Sequence, residues 1–206
     1  MSYDELLAMW KMCCEARKYG MFLTANNPVR FIEDSDFAYM VEDSENQYWV
    51  FDGSDNFREW VENFIVIPFG KAFSHLGFDN ASRGFFHKMI ERANRHKKQW
   101  FFGHSRGGAI CQGVALRFAE IGMAGHCVTF GSPKMGGRVF SRRMGKHGIQ
   151  HTRVEMRGDI VCDVPLTRKH YETEHVVLEH SLEGVGRVHL GYGIGLQEAI
   201  NGTANR

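Results

Sequence analysis

The chain has no long hydrophobic run: its longest apolar stretch, FIVIPF at 64–69, is far too short to cross a bilayer. It has no surplus of either charge. Twenty-five basic residues stand against 24 acidic ones, a formal net charge of +1, which leaves no global electrostatic reason to expect a nucleic-acid or anionic-membrane partner. The local basic stretches RANRHKKQ (92–99) and RRMGKHG (142–148) then read as solvated helix ends. No C-x-x-C pair is present for zinc or redox chemistry. The five cysteines are an odd number, and Cys13 and Cys14 are adjacent, so a reduced intracellular protein is expected. Nor is there an export signal, because Asp4 and Glu5 stand where a basic start and an apolar core would be needed. The expected localisation is cytoplasmic, with release by lysis if a virus or phage encodes the protein.

Repeats, low-complexity tracts and a proline-rich linker are also missing. A length of 206 residues at 43% hydrophobic content therefore predicts one globular domain over 1–206. Eleven histidines could suggest a metal, yet His170, His175 and His180 step by five. In a strand that odd spacing throws neighbours onto opposite faces. No metal site and no cofactor are expected.

What is present is an alternation of two periodicities. Leu6, Trp10, Cys13 and Cys14 recur at helical spacing near the start, then AYMVED and QYWVFDG read as strands about the turn DSEN. Phe85, Phe86, Met89, Ile90 and Ala93 return to helical spacing, and KQWFF follows as a strand. Ile110, Val114, Phe118 and Ile121 fit a helix stopping at Gly122. GHCVTFGS, TRVEMRGD and EHVVLEH are further strands, with GRVFSRRMGK and LGYGIGLQEAI as helices. Strands alternating with helices imply parallel βαβ units in a three-layer α/β domain. Sites in such sheets lie at the carboxyl ends of the strands.

The segment FFGHSRGGAI (101–110) stands at one such end. Gly103-His104-Ser105-Arg106-Gly107 is a G-x-S-x-G pattern in which a strand turns abruptly into a helix, so the serine stands exposed as a nucleophile. The helix N-terminus aims its free N–H groups and positive dipole end at the same place. A serine nucleophile needs a histidine base and an acid to orient it, here in the chain order Ser, Asp or Glu, His. Asp159 falls just past the strand TRVEM, whereas Asp163 lies four residues further on, in a loop. His189 falls in the connection between the last strand and the last helix; His170, His175 and His180 sit before, within or at the end of that strand. Position at the sheet edge selects Ser105, Asp159 and His189.

These residues resemble the class 3, or fungal-type, lipase family of the α/β-hydrolase fold. VFDGSDNFREWVEN (50–63) looks like the family's oxyanion loop and lid helix, HLGF (75–78) like the segment after the lid, GHSRGGA like its elbow, and TFGSPKMG (129–136) like the strand and turn that follow. GDIVCDVP and VHLGY look like its acid and histidine loops. The resemblance implies a mostly parallel central sheet flanked by helices on both faces, and a Ser105–His189–Asp159 triad. It also implies an oxyanion hole made by the backbone N–H groups of Ser54 and Arg106. Phe57, Trp60, Val61 and Phe64 form an apolar stripe on the implied lid helix, which a plain core helix would show as well. His104 is grouped with these substrate-side residues.

Departures from the family pattern are Asp52 where an arginine is usual, Arg106 for leucine, and Cys162 for proline. A guanidinium beside the nucleophile suggests a pairing with Asp52 or a preference for an anionic substrate. The implied activity is hydrolysis of carboxylic esters through an acyl-enzyme, on small-molecule or lipid esters with short to medium acyl chains, with transient contact at a lipid interface. Phospholipase or polysaccharide deacetylase action, a serine amidase or peptidase on the same fold, and a silent hydrolase fold used for binding are the alternatives.

Overall fold

Among the described residues seven strands form one sheet in chain order: β1 (Val29–Glu33), β2 (Asp36–Glu42), β3 (Asn46–Phe51), β4 (Lys98–His104), β5 (His126–Phe130), β6 (Gln150–Met156) and β7 (Glu174–Leu178). The computed structural model describes residues 1–17, 28–34, 36–52, 76–165 and 170–204. β1, β2 and β3 pair antiparallel, and every pairing from β3 to β7 is parallel. The described helices are α1 (Tyr3–Arg17), α2 (Leu76–Met89), α3 (Arg106–Glu120), α4 (Arg138–Lys146), α5 (Val185–Leu190) and α6 (Tyr192–Ala204). None of them is long and apolar enough to cross a membrane.

The strand order dictates the layers. Successive parallel strands that advance one place at a time, each joined by a right-handed crossover, put their connecting helices on one face of the sheet. That face holds α2, α3 and α4, whose Phe78, Phe85, Ile110, Phe118, Phe140 and Met144 pack on Trp49, Phe51 and Phe101. The alternate residues Val50, Phe102, Val128 and Val154 point the other way and are covered by α1, α5 and α6 through Leu6, Trp10, Val188, Tyr192 and Leu196. The period-2 alternation of the strands thus fills two cores. Phe85, Phe101 and Phe118 are fully buried, each contributing about 2 kcal/mol of transfer free energy.

Two features differ from expectation. The short strand β1 was not anticipated: only Phe31 on it is buried, and a five-residue edge strand carries little periodicity to read. His189 lies on a short helix, α5, inside the connection where an irregular loop was expected.

Candidate active site

The elbow is built by backbone packing on backbone. β4 ends at His104, α3 begins at Arg106, and Ser105 between them has φ 54° and ψ −126°, a left-handed conformation that costs about 1–3 kcal/mol for a residue with a side chain. Its N–H donates to the Phe130 carbonyl of β5 at 2.9 Å. Strand and helix approach so closely that a Cβ on Gly103 would fall 2.4 Å from the Gly107 carbonyl, and one on Gly107 would fall 2.4 Å from the Asp52 carbonyl. Glycine at these two places is a steric requirement of the turn. As the first residue of α3, Arg106 has an N–H with no intrahelical acceptor, at the positive end of the helix.

Asp159 follows β6 and caps the short 3-10 helix Ile160–Asp163. Three donors fix its carboxylate: Val161 N–H to Oδ1 at 3.0 Å, His189 Nδ1–H to Oδ2 at 2.8 Å, and the Tyr192 hydroxyl to Oδ2 at 2.7 Å. Because Nδ1 carries the proton that meets the carboxylate, Nε2 is the basic nitrogen of His189. Both Asp159 and His189 are buried. Burial pushes the Tyr192 phenol well above its ordinary range, so it stays protonated and donates. Its oxygen in turn accepts from the Met156 N–H at 3.1 Å.

Gly131 joins the two halves of the site. It follows Phe130, the residue bonded to Ser105, and has φ +55°; a Cβ there would come within 2.8 Å of Asp159 Oδ2 and 3.0 Å of His189 Cε1. The residues expected as serine, acid and histidine are therefore gathered at the carboxyl ends of β4, β5 and β6.

His104 was expected on the substrate side and is not there. It is buried beneath the histidine, its Nε2–H donating to the His189 carbonyl at 2.9 Å and its ring 4.5 Å from the His189 ring. Alternation along β4 sends residue 104 to the same sheet face as Phe102, toward α1 and α6. Arg106 also has a different partner from the one expected: Nε and Nη2 donate to the two oxygens of Asp36, not Asp52, at 2.7 and 2.6 Å. The carbon of its guanidinium lies 5.5 Å from the Phe78 ring centre. That charge is committed to a carboxylate, so the expected preference for an anionic substrate loses its basis.

The remaining candidates fall outside this cluster. Asp163 is exposed, and its carbonyl receives Lys134 Nζ. His170 donates to the Cys162 carbonyl, His175 sits between Arg153 and Glu155, and His180 donates to the Arg157 carbonyl; no group of His, Cys, Asp or Glu among the described residues could hold a metal ion. Ser54, Phe57, Trp60, Val61 and Phe64 lie outside the described residues. Tyr192, which sequence reasoning missed, reads as one more apolar position at the start of the last helix. Its place in VHLGY, three residues after the histidine, was the available signal.

Residues 48–169 match the family described as Lipase (class 3). Protein EDS1L of Arabidopsis thaliana is 27% identical over 157 residues, covering 65% of this chain and 25% of that protein; the chain spans about a quarter of the length of the curated relatives it matches. Among solved structures, a deletion mutant of Rhizomucor miehei lipase in complex with its propeptide has a TM-score of 0.74 at 19% identity, over 86% of this chain and 67% of that one. A triacylglycerol lipase whose catalytic centre is described as a serine protease triad has a TM-score of 0.55 at 23% identity, over 67% of this chain and 59% of that one. These likenesses show the α/β-hydrolase fold of lipases.

Proposed function

Because the chain belongs to the class 3 lipase family, we propose that it hydrolyses carboxylic esters through an acyl-enzyme on Ser105. The observation that carries this is the left-handed Ser105 at the head of α3, beside a buried Asp159–His189 pair joined at 2.8 Å. In this reading the Ser105 hydroxyl attacks the ester carbonyl while His189 Nε2 takes its proton. Asp159 holds the imidazole in the tautomer that leaves Nε2 basic and stabilises the imidazolium that forms. The tetrahedral oxyanion faces the start of α3, where the Arg106 N–H is one donor; Ser54 N–H is the second that the family resemblance implies. One such donor is worth roughly 3–4 kcal/mol of barrier. His189 then returns the proton to the leaving alcohol, and water repeats the cycle to release the acid.

Short to medium acyl esters are the proposed substrates. The test is hydrolysis of chromogenic esters from acetate to palmitate by the full chain beside Ser105→Ala and His189→Ala. Activity peaking at one chain length and lost in both variants supports the proposal. A folded protein with no activity on any ester overturns it and turns attention to amides or to a binding role.

A further inference from the structure

We propose that Trp10 is a positioning residue for the Asp159–His189 pair, although α1 lies wholly outside the 48–169 segment that matches the family. The inference rests on the ester-hydrolase reading above. Trp10 lies on the buried stripe of α1 with Leu6 and Cys13. Its ring centre is 5.0 Å from that of His104, edge-on at 90°, and 5.5 Å from that of Tyr192. Each of those two rings, themselves 6.0 Å apart, holds one member of the pair. His104 donates to the His189 carbonyl at 2.9 Å, and Tyr192 donates to Asp159 Oδ2 at 2.7 Å. One indole therefore bears on the group that fixes the base and on the group that fixes the acid.

The surroundings leave the indole little room to move. A third ring, Phe130, stands 5.5 Å away. On the α6 side Gly193 admits the indole so closely that a Cβ there would fall 2.7 Å from Trp10 Nε1. The start of α1 is pinned as well. Ser2 Oγ accepts from the Glu5 N–H while Glu5 Oε2 accepts from the Ser2 N–H, a reciprocal cap, and the Met1 amine pairs with Glu174 of β7 at 3.2 Å. Aromatic rings in contact prefer particular offsets and edge-on geometries, so a smaller side chain at position 10 lets His104 and Tyr192 drift. Trp10 bears on the pair rather than on substrate, so the loss should fall on kcat rather than KM.

The test uses the full chain with a chromogenic butyrate ester, comparing wild type with Trp10→Leu, Trp10→Phe and Leu6→Ala at a temperature where all are folded by circular dichroism. Phosphonylation of Ser105 by a fluorophosphonate and the low-field proton signal of His189 Nδ1–H are followed in parallel. Trp10→Leu is expected to lower kcat and the phosphonylation rate on the order of tenfold, with KM changed by less than about twofold and the low-field signal shifted or broadened. Trp10→Phe should recover most of the loss. Leu6→Ala, which removes buried apolar mass one turn earlier, should lower the melting temperature and leave kcat in place. Wild-type kcat and an unchanged signal in Trp10→Leu overturn the proposal, as does an equal fall in kcat for Leu6→Ala. If wild type neither hydrolyses the ester nor labels, the ester-hydrolase reading fails instead, and the low-field signal alone decides whether Trp10 orders the pair.

Discussion

The Tyr192 hydroxyl lies 2.7 Å from Asp159 Oδ2, the same oxygen that receives the 2.8 Å hydrogen bond from His189. The acid of the proposed triad thus has a second buried donor that limits how its carboxylate can turn. Tyr192→Phe keeps the ring and removes both this bond and the acceptor for the Met156 N–H. A hydrogen bond to a charged group is worth about 2 kcal/mol, which for a chain of this size lowers the melting temperature by roughly 4–8 °C. Activity should fall about tenfold through kcat, since a freer carboxylate orients His189 less well. Steady-state kinetics and thermal unfolding of the variant measure both effects; a wild-type kcat would show that the other two donors suffice.

Gly131 leaves no room for a side chain. Alanine there would adopt φ +55° and put its methyl carbon 2.8 Å from Asp159 Oδ2 and 3.0 Å from Tyr192 Cε2. The left-handed backbone alone costs about 1–2 kcal/mol, and the contact can be relieved only by moving the acid or the histidine. Gly131→Ala should lose at least ~100-fold in kcat. Gly137→Ala is the comparison, because a methyl at Gly137 meets open space; equal losses in the two variants would contradict the steric explanation.

Local pattern made the elbow legible because strand, tight turn and helix are each short-range features. Ser105, Asp159 and His189 could be chosen because sheet topology maps chain order onto one edge. What escaped detection depends on how distant segments align. Arg106 could not be matched to Asp36 from the sequence, since the pairing is set by the register of β2 and β3, where the Asp52 N–H bonds the Phe37 carbonyl at 2.9 Å. His104 differs from expectation because the alternation of β4 turns it to the sheet face of Phe102, toward Trp10 and Tyr192. Tyr192 stands three residues after His189 in VHLGY, but its partnership with the acid depends on α6 folding over the end of β6, where its hydroxyl meets Asp159 and the Met156 N–H.

The Arg106–Asp36 pair is expected to behave as a coupled unit. Its two hydrogen bonds are charge-assisted and bidentate, and the Asp36 side chain is only 8% exposed, so removing one partner strands the other. Asp36→Asn and Arg106→Leu should each destabilise the fold by about 1–3 kcal/mol. The double variant should lose less than their sum, with a coupling free energy of roughly 1–2 kcal/mol. Chemical denaturation of the four proteins supplies the cycle, and additive losses would show that the pair contributes nothing as a pair.

Two histidines, His151 buried and His170 half-buried, make the fold sensitive to acid in a range that begins above that of its carboxylates. Burial pushes His151 down to about 4 and His170 down to about 3, from an ordinary value of 6.5. Above pH 6.5 both are neutral in the folded and the unfolded chain, and their contribution to stability is fully present. As pH falls below 6.5 the unfolded chain binds protons that the folded chain refuses, so stability is lost until each folded residue titrates. Within that window the slope approaches about 1.4 kcal/mol per pH unit for each histidine. His126, lowered chiefly by burial, acts in the same direction. Asp43, held near 2 by hydrogen bonds from the Glu45 N–H and its neighbours, loses its contribution only below about pH 4. Glu174, lowered by hydrogen bonds from the Thr152 hydroxyl and the Met1 amine, begins to lose its contribution as pH nears 4.5, so the interval from 6.5 to about 5 should show the histidines. His151→Gln and His170→Gln cannot titrate, and the double variant should have a flatter dependence of unfolding free energy on pH across that interval, whatever its stability at pH 7. Denaturant unfolding at pH 7, 6 and 5 measures it, and a slope equal to that of wild type would mean that other groups take up the protons.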